Sequence, residues 1–245
     1  MTNRYIIAAA VTIAVVFLSY FIHFYMILGY KISNDSAIWA QLGDYAGGIL
    51  NPILSFISIV LLIKSLTLQN QANLDLRREI KNNEKTEKLK SFESIFFNMI
   101  NSQKYLFDTF RIEVSIDEEY VTRTGVEAVI EIENAIEARR ENNPNDNIVQ
   151  EYLDNLDAFD QIFGITRTFY IMVKMISEKL SDSHGFNLED RNSHFLTLLN
   201  FTDFAQLRLI MICVQFMDFE SVKYLKNNDE FKAVLDETGL SYELY

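Results

Sequence analysis

In 245 residues the chain has one cysteine, two prolines, eight glycines, three histidines and one tryptophan. A lone Cys213 excludes a disulfide framework and suits a reducing compartment. No Walker loop, GxGxxG, HExxH, CxxC or GxSxG occurs. The common phosphate-binding, metallohydrolase, redox and serine-hydrolase signatures are therefore missing, and no cofactor, metal or catalytic residue is assigned. Internal repeats and low-complexity tracts are also absent. The last shortage is local: residues 1–66 carry only Arg4, Lys31, Asp35, Asp44 and Lys64 as charges.

That scarcity of charge coincides with two long apolar runs. Crossing a bilayer takes about 20 apolar residues at roughly 1.5 Å rise each. Tyr5 to Tyr30 (YIIAAAVTIAVVFLSYFIHFYMILGY) meets that length without a formal charge, and a second run from about 45 to 66 meets it with Lys64 alone near its end. The first far exceeds the apolar core of a signal peptide and no small-x-small site follows it, so a retained span is expected. Arg4 precedes the first run, Lys31 and Asp35 lie between the two, and Lys64, Arg77, Arg78, Lys81, Lys85, Lys88 and Lys90 follow the second. Positive charge collects on the cytoplasmic side, so both termini are expected there, with residues 31–41 outside. Trp39, Tyr30 and Tyr45 suit the outer interface, where amphipathic rings settle.

The remaining chain reads as helical. Residues 64–90 (KSLTLQNQANLDLRREIKNNEKTEKLK) have no glycine, proline or aromatic residue, so 67–90 is expected to be a charged helical stalk able to form a short coiled coil. Its basic half can also lie against an anionic leaflet. From Ser91, Phe92, Ile95, Phe96, Met99, Ile100, Leu106, Phe107 and Phe110 recur at helical spacing. Residues 111–124 read as a loop. Thr124 then opens TGVE, a capping box with Glu127, and helices are expected over 124–140, 146–163, 166–180, 188–199, 203–217, 220–226 and 229–238. Pro144 breaks the chain between two of these, and Gly239 closes the last. The fold class is all-α: a two-helix transmembrane hairpin (1–66), the stalk (67–90) and a cytoplasmic helical bundle domain (91–245). The run LRLIMICVQFM (207–217) is too short for a third span, and Arg208 marks it as a core helix.

Residues 91–245 hold 13 Lys and Arg against 28 Asp and Glu, a net charge of −15. Nucleic-acid affinity needs clustered cations, so nucleic acid is not an expected partner. Two groups of titratable residues are candidate sites. His184 and His194, with Asp182, Glu189 and Asp190, can be drawn as a metal or acid–base cluster, and Arg191 with His194 as a nuclease-like pair. The simpler reading is a loop followed by a helix start, where acids favour the first turn. Asp154, Asp157 and Asp160 share a helix face at three-residue steps, beside an apolar stripe of Leu153, Leu156, Phe159 and Phe163. A solvated acidic face is the default there.

The second span holds the most unusual residues. Gly43 and Gly47 make a GxxxG pair, which lets two backbones approach within a membrane. Asp44, Gly48, Asn51, Ser55 and Ser58 follow at steps of four, three, four and three, hence on one helix face. Pro52 deprives the Gly48 carbonyl of its usual partner. In the first span, Ala10 and Ala14 form a small pair, while Thr12, Ser19 and His23 mark a polar side. Polar groups in hydrocarbon are costly, so this face should meet protein or water. It packs the two spans together or joins protomers; alternatively, several copies line a polar path. The last reading requires a homo-oligomer.

These residues also carry a resemblance. Trp39, then LGDYAGGILNPILSF (42–56), Leu66-Thr-Leu-Gln69 with Gln71 and Leu74, and SFESIFFNM (91–99) resemble the phage abortive infection membrane proteins of bacteria. The stretch Arg167–Ile176 and residues 198–211 are similar to that family's later helical blocks, less sharply. The resemblance implies a two-span protein of the bacterial inner membrane with a helical cytoplasmic domain, protecting the population at the cell's expense. It implies no catalytic residues. Three functions follow as expectations. The first is an effector whose cytoplasmic domain senses infection while the membrane part disrupts the bilayer. The second is a tethered module that binds a phage or host protein. The third, least favoured, is an unrecognised hydrolase or nuclease.

Overall fold

The computed structural model describes residues 2–29, 31–116, 119–142, 145–157, 159–243 and 245. The expectations for Tyr30 and Pro144 lie outside them. The chain divides into two compact units, Met1–Lys81 and Asn82–Tyr245.

The first unit contains α1 (Thr2–Phe21), extended by a π-helical turn (Ile22–Ile27), and the greater part of α2 (Ser36–Asp108). Both helices are long and apolar enough to cross a membrane. Asp35 starts α2, its Oδ1 accepting from the Ala37 N–H at 3.0 Å. Helix therefore begins at Ser36, before the start expected at about 45, and the segment between the helices is shorter than 31–41. Trp39 and the glycines at 43, 47 and 48 are all helical. Pro52 sits inside α2, which continues through the expected stalk to Asp108. Interior proline costs a helix one backbone bond, and α2 nonetheless runs on through Pro52.

Among the described residues the second unit is helices and connecting loops apart from one antiparallel ribbon, β1 (Arg111–Ile116) and β2 (Glu119–Thr124). Its register pairs Ile112 with Arg123 and Val114 with Val121. This corrects the loop expected at 111–124. Alternation of Ile112, Val114 and Ile116 is a strand period, and Ile112 is buried against the core. The ribbon leads into α3 (Gly125–Asn142) through Gly125, whose φ of +50° suits glycine. The Gly125 N–H donates to the Phe110 carbonyl at 2.8 Å, closing the base of the ribbon.

After α3 come α4 (Asp146–Leu156), α5 (Gln161–Lys179), α6 (Leu188–Phe201), α7 (Phe204–Phe216), α8 (Glu220–Lys226) and α9 (Asp229–Glu237). The single helix expected over 146–163 is broken at 157–160, where Asp160 takes a left-handed φ of 55°. Asp157 drives the break by capping α5: its carboxylate accepts from the Ile162 N–H at 2.7 Å and the Phe163 N–H at 2.9 Å. Asp154, Asp157 and Asp160 consequently do not share a helix face. Gly239 closes α9 with a φ of +76°, as expected.

Helix α7 is the centre of this unit. Every residue from Leu209 to Val214 is fully buried, and the helix packs against α3, α4, α5 and α8. A helix apolar on all sides belongs in a core. Each fully buried large side chain there contributes about 1.5–3 kcal/mol. Helices α6 and α7 meet at 111°, across Thr202, whose N–H donates to the Leu198 and Leu199 carbonyls. From α2, Phe92, Phe96, Ile100 and Phe107 enter the same core, so the aromatic stripe packs as its spacing predicts.

Candidate functional site

In the first unit, α1 and α2 meet along a narrow apolar seam. Val16 and Ala46 are buried in it; Tyr5, Ala9, Tyr20, Leu42, Gly47, Leu50, Leu54, Ile57 and Leu61 are half-buried. The Lys64 ammonium lies 5.1 Å from the Tyr5 ring. Towards the other end, Ser19 Oγ and the Tyr45 hydroxyl are 3.2 Å apart, and the Tyr20 and Tyr45 rings pack at 5.3 Å.

The polar stripe is not in this seam. Gly43, Asp44, Gly48, Asn51, Pro52, Ser55 and Ser58 are all exposed in the chain, and only Gly47 reaches the edge of the contact. At about 3.6 residues per turn, Asp44, Gly48, Asn51, Ser55 and Ser58 point away from Ala46, Leu50 and Ile57. The structure thus gathers the five on one face, as their spacing predicts. That face is opposite the helix–helix contact, so it does not pack the two helices of one chain together. Ser58 Oγ satisfies itself locally, donating to the Leu54 carbonyl at 2.8 Å. On α1, Ala10, Ala14, Ser19 and His23 are likewise exposed. Trp39 is 56% exposed, with its indole N–H donating to the Ser33 carbonyl at 2.9 Å. It helps line an apolar cavity of about 450 Å³ with Phe17, Phe21, Tyr25 and Ile38.

The titratable candidates of the second unit are dispersed into structural roles. Asp190 completes a reciprocal capping box with Asn187 at the start of α6, and Lys85 lies 3.5 Å from it. His184 Nδ1 is 2.8 Å from Ser181 Oγ. His194 Nδ1 is 2.7 Å from the Asp190 carbonyl, and its Nε2 is 3.7 Å from Glu93. Glu189 lies in the first turn of α6, exposed. Asp182 lies 3.6 Å from Arg191. Among the described residues, no group of three His, Cys, Asp or Glu side chains is arranged to hold a metal ion.

Two ion pairs join residues that are distant in the sequence. Arg191, its side chain 8% exposed, meets Glu230 of α9 at 2.7 Å and also donates to the Leu180 carbonyl at 3.1 Å. Its guanidinium is held further above its ordinary pKa, chiefly by the hydrogen bond to Glu230. Arg208 of α7 donates to Glu133 of α3 at 2.6 Å, and the Tyr245 hydroxyl donates to the same carboxylate. Burial, reinforced by Glu133, pushes the Tyr245 phenol well above its usual range. No sequence motif marks such pairs, because the partners lie 39 and 75 residues apart. Cys213 is wholly buried and its thiol is pushed up to about 12 by burial, which leaves no reactive thiolate. What the geometry offers is an exposed face of small and polar residues over 43–58 of α2 and an acidic helical unit. No family model, curated protein or solved structure matches the chain.

Proposed function

We propose that this protein is a membrane-anchored anti-phage protein of the abortive infection type. In this reading α1 and α2 cross the bacterial inner membrane as an antiparallel hairpin with both termini cytoplasmic, and the second unit is the cytoplasmic part that senses infection. Support for the hairpin comes from the contact order along the two helices: Tyr5 meets Lys64, and Ser19 meets Tyr45. Exposed Ile6, Ile7, Phe56 and Leu62 supply the apolar surface that lipid requires.

One observation carries the effector reading. Asp44, Asn51 and Ser55 are exposed on the part of α2 between about 42 and 63, whose remaining residues are mostly apolar. Facing lipid, such groups are costly, so they meet a second copy of the chain or water. Homo-oligomers joined along this face would enclose a polar path and open the bilayer barrier when the cytoplasmic unit responds to a phage product. The experiment is entry of a membrane-impermeant dye during a phage-infection time course, with an empty-vector control. Dye entry before lysis is expected, and Asn51→Leu with Ser55→Leu is expected to abolish both entry and protection.

A second reading keeps the membrane part as a tether for a module that binds a phage or host protein. Its support is the acidic second unit, with its net charge of −15 beyond residue 90. Replacing residues 1–63 by an unrelated two-span hairpin separates the two: retained protection assigns the activity to the second unit alone.

A further inference from the structure

After α9 the chain returns to the body of the second unit. Leu240, Tyr242 and Tyr245 pack against its core, and the Tyr242 hydroxyl donates to the Leu225 carbonyl at 3.1 Å. Tyr245 is held at three points. Its N–H donates to Gln215 Oε1 at 3.2 Å, while Gln215 Nε2 and Arg140 Nη1 both donate to its carbonyl. Its hydroxyl donates to Glu133, the partner of Arg208. The Gln215 amide thus pairs with both the N–H and the C=O of one residue, as a residue of a neighbouring antiparallel strand would.

The charged groups that Tyr245 touches do not depend on it. Arg208 of α7 and Glu133 of α3 already face each other at 2.6 Å, a pair that needs no third member. Arg140 lies 3.5 Å from Asp146 and 5.6 Å from the Phe216 ring. Withdrawing Tyr245 therefore leaves both arginines and Glu133 with partners, and the groove between α3 and α7 is preformed. Gln215 instead loses the peptide group that it pairs with at both ends. A cavity of about 690 Å³ borders the segment, with Gln215, Tyr242 and Tyr245 in its wall, so the segment does not fill the depression. A preformed groove binds without the cost of ordering itself, and a short terminal strap is drawn from the least stable part of a fold.

We propose that the groove between α3 and α7 is a receptor for tyrosine-bearing peptide segments, filled in cis by residues 240–245 of this chain. An incoming peptide displaces them and repeats their contacts. Its main-chain N–H and C=O pair with Gln215, its carbonyl also accepts from Arg140, and its phenol donates to Glu133. Phenylalanine fills the same space but offers Glu133 no proton, so tyrosine is selected over it by that hydrogen bond. This assignment does not depend on the membrane reading.

The test uses the full chain in nanodiscs and the peptide LSYELY, carrying an N-terminal fluorescein and a C-terminal amide. Fluorescence anisotropy reads binding, and empty nanodiscs correct for lipid partitioning. In the native chain the tethered segment competes at an effective concentration on the order of millimolar. Tyr245→Ala weakens that competitor and is expected to take up LSYELY about tenfold more tightly. The peptide LSYELF is expected to bind this variant about tenfold more weakly than LSYELY, the usual loss for one hydrogen bond to a charged group. Adding Gln215→Leu is expected to weaken LSYELY by a similar factor. Absence of binding to a folded Tyr245→Ala chain overturns the proposal. So do equal affinities of the two peptides, equal affinities of the native and Tyr245→Ala chains, and undiminished binding after Gln215→Leu. If Tyr245→Ala fails to fold, Tyr245→Phe keeps the packed ring and removes only the hydroxyl. That chain is expected to bind LSYELY roughly threefold more tightly than the native one, and no difference between them overturns the proposal.

Discussion

Arg191 of α6 and Glu230 of α9 meet at two points, Nε to Oε2 at 2.7 Å and Nη2 to Oε1 at 2.8 Å. Arg191 is nearly buried, whereas the Glu230 side chain is 39% exposed. Removing the acid therefore leaves a charge in the core, while removing the base leaves a carboxylate that water can reach. The asymmetry gives the first prediction. Glu230→Ala is expected to destabilise the second unit by about 2–3 kcal/mol, somewhat below a fully buried pair, because Asp182 and the Leu180 carbonyl still contact Arg191. Arg191→Met is expected to cost less. Denaturant midpoints of the two variants check the order, and a larger loss for the methionine variant would refute this account.

Asp157 carries the pH dependence. Burial raises its pKa from the ordinary 3.8, against the lowering effect of the Phe163 and Ile162 amides. With the folded pKa above the unfolded one, the native state binds more protons between the two. Stability from this group is complete below the unfolded value and declines as pH rises through the folded value. Asp157→Asn removes the titration, at a constant cost for one lost acceptor. Relative to wild type, the variant should gain stability as pH rises from about 4 through the acid range, and then level off. Melting temperatures across that range measure it; parallel profiles would assign the titration elsewhere.

Cys213 is expected to be silent to thiol reagents in the folded chain. It is fully buried and its thiol sits at about 12, so native protein at neutral pH offers neither access nor thiolate. Maleimide labelling should follow global unfolding and appear at the same denaturant concentration as the loss of helix. Labelling well before that point would reveal local opening around α7.

The exposed glycines separate packing within the chain from packing between chains. A Cβ placed at Gly43 or Gly48 meets nothing within 4 Å among the described residues. Gly43→Val with Gly48→Val should leave the melting of the second unit within about 0.5 kcal/mol. If copies associate along this face, the same change should reduce cross-linked oligomers, since close backbone approach depends on small residues. Oligomer yield unaltered by both valines would remove this face from the interface.

Much of this architecture was legible from local pattern. The membrane-length runs, the shared face of Asp44, Gly48, Asn51, Ser55 and Ser58, and the core stripe of Phe92, Phe96, Ile100 and Phe107 all depend on periodicity along one helix. Rise and turn per residue are properties of the backbone itself, so spacing predicts facing. The ribbon at 111–124 reads as a loop, because its alternation of Ile112, Val114 and Ile116 is short and flanked by acids.

Tertiary structure alone decided three things. It turned the stripe of α2 away from α1, because Val16 and Ala46 give a closer apolar seam than a face bearing Asp44 and Asn51. It broke 146–163 at Asp157, because a carboxylate accepting two amide protons at the start of α5 outweighs one continued turn. It also brought Gln103 beside Thr202 and opposed Arg191 to Glu230. Periodicity states which residues share a face of one helix. Which face meets which neighbour depends on long-range packing, where partners are chosen by shape, burial and charge across dozens of intervening residues.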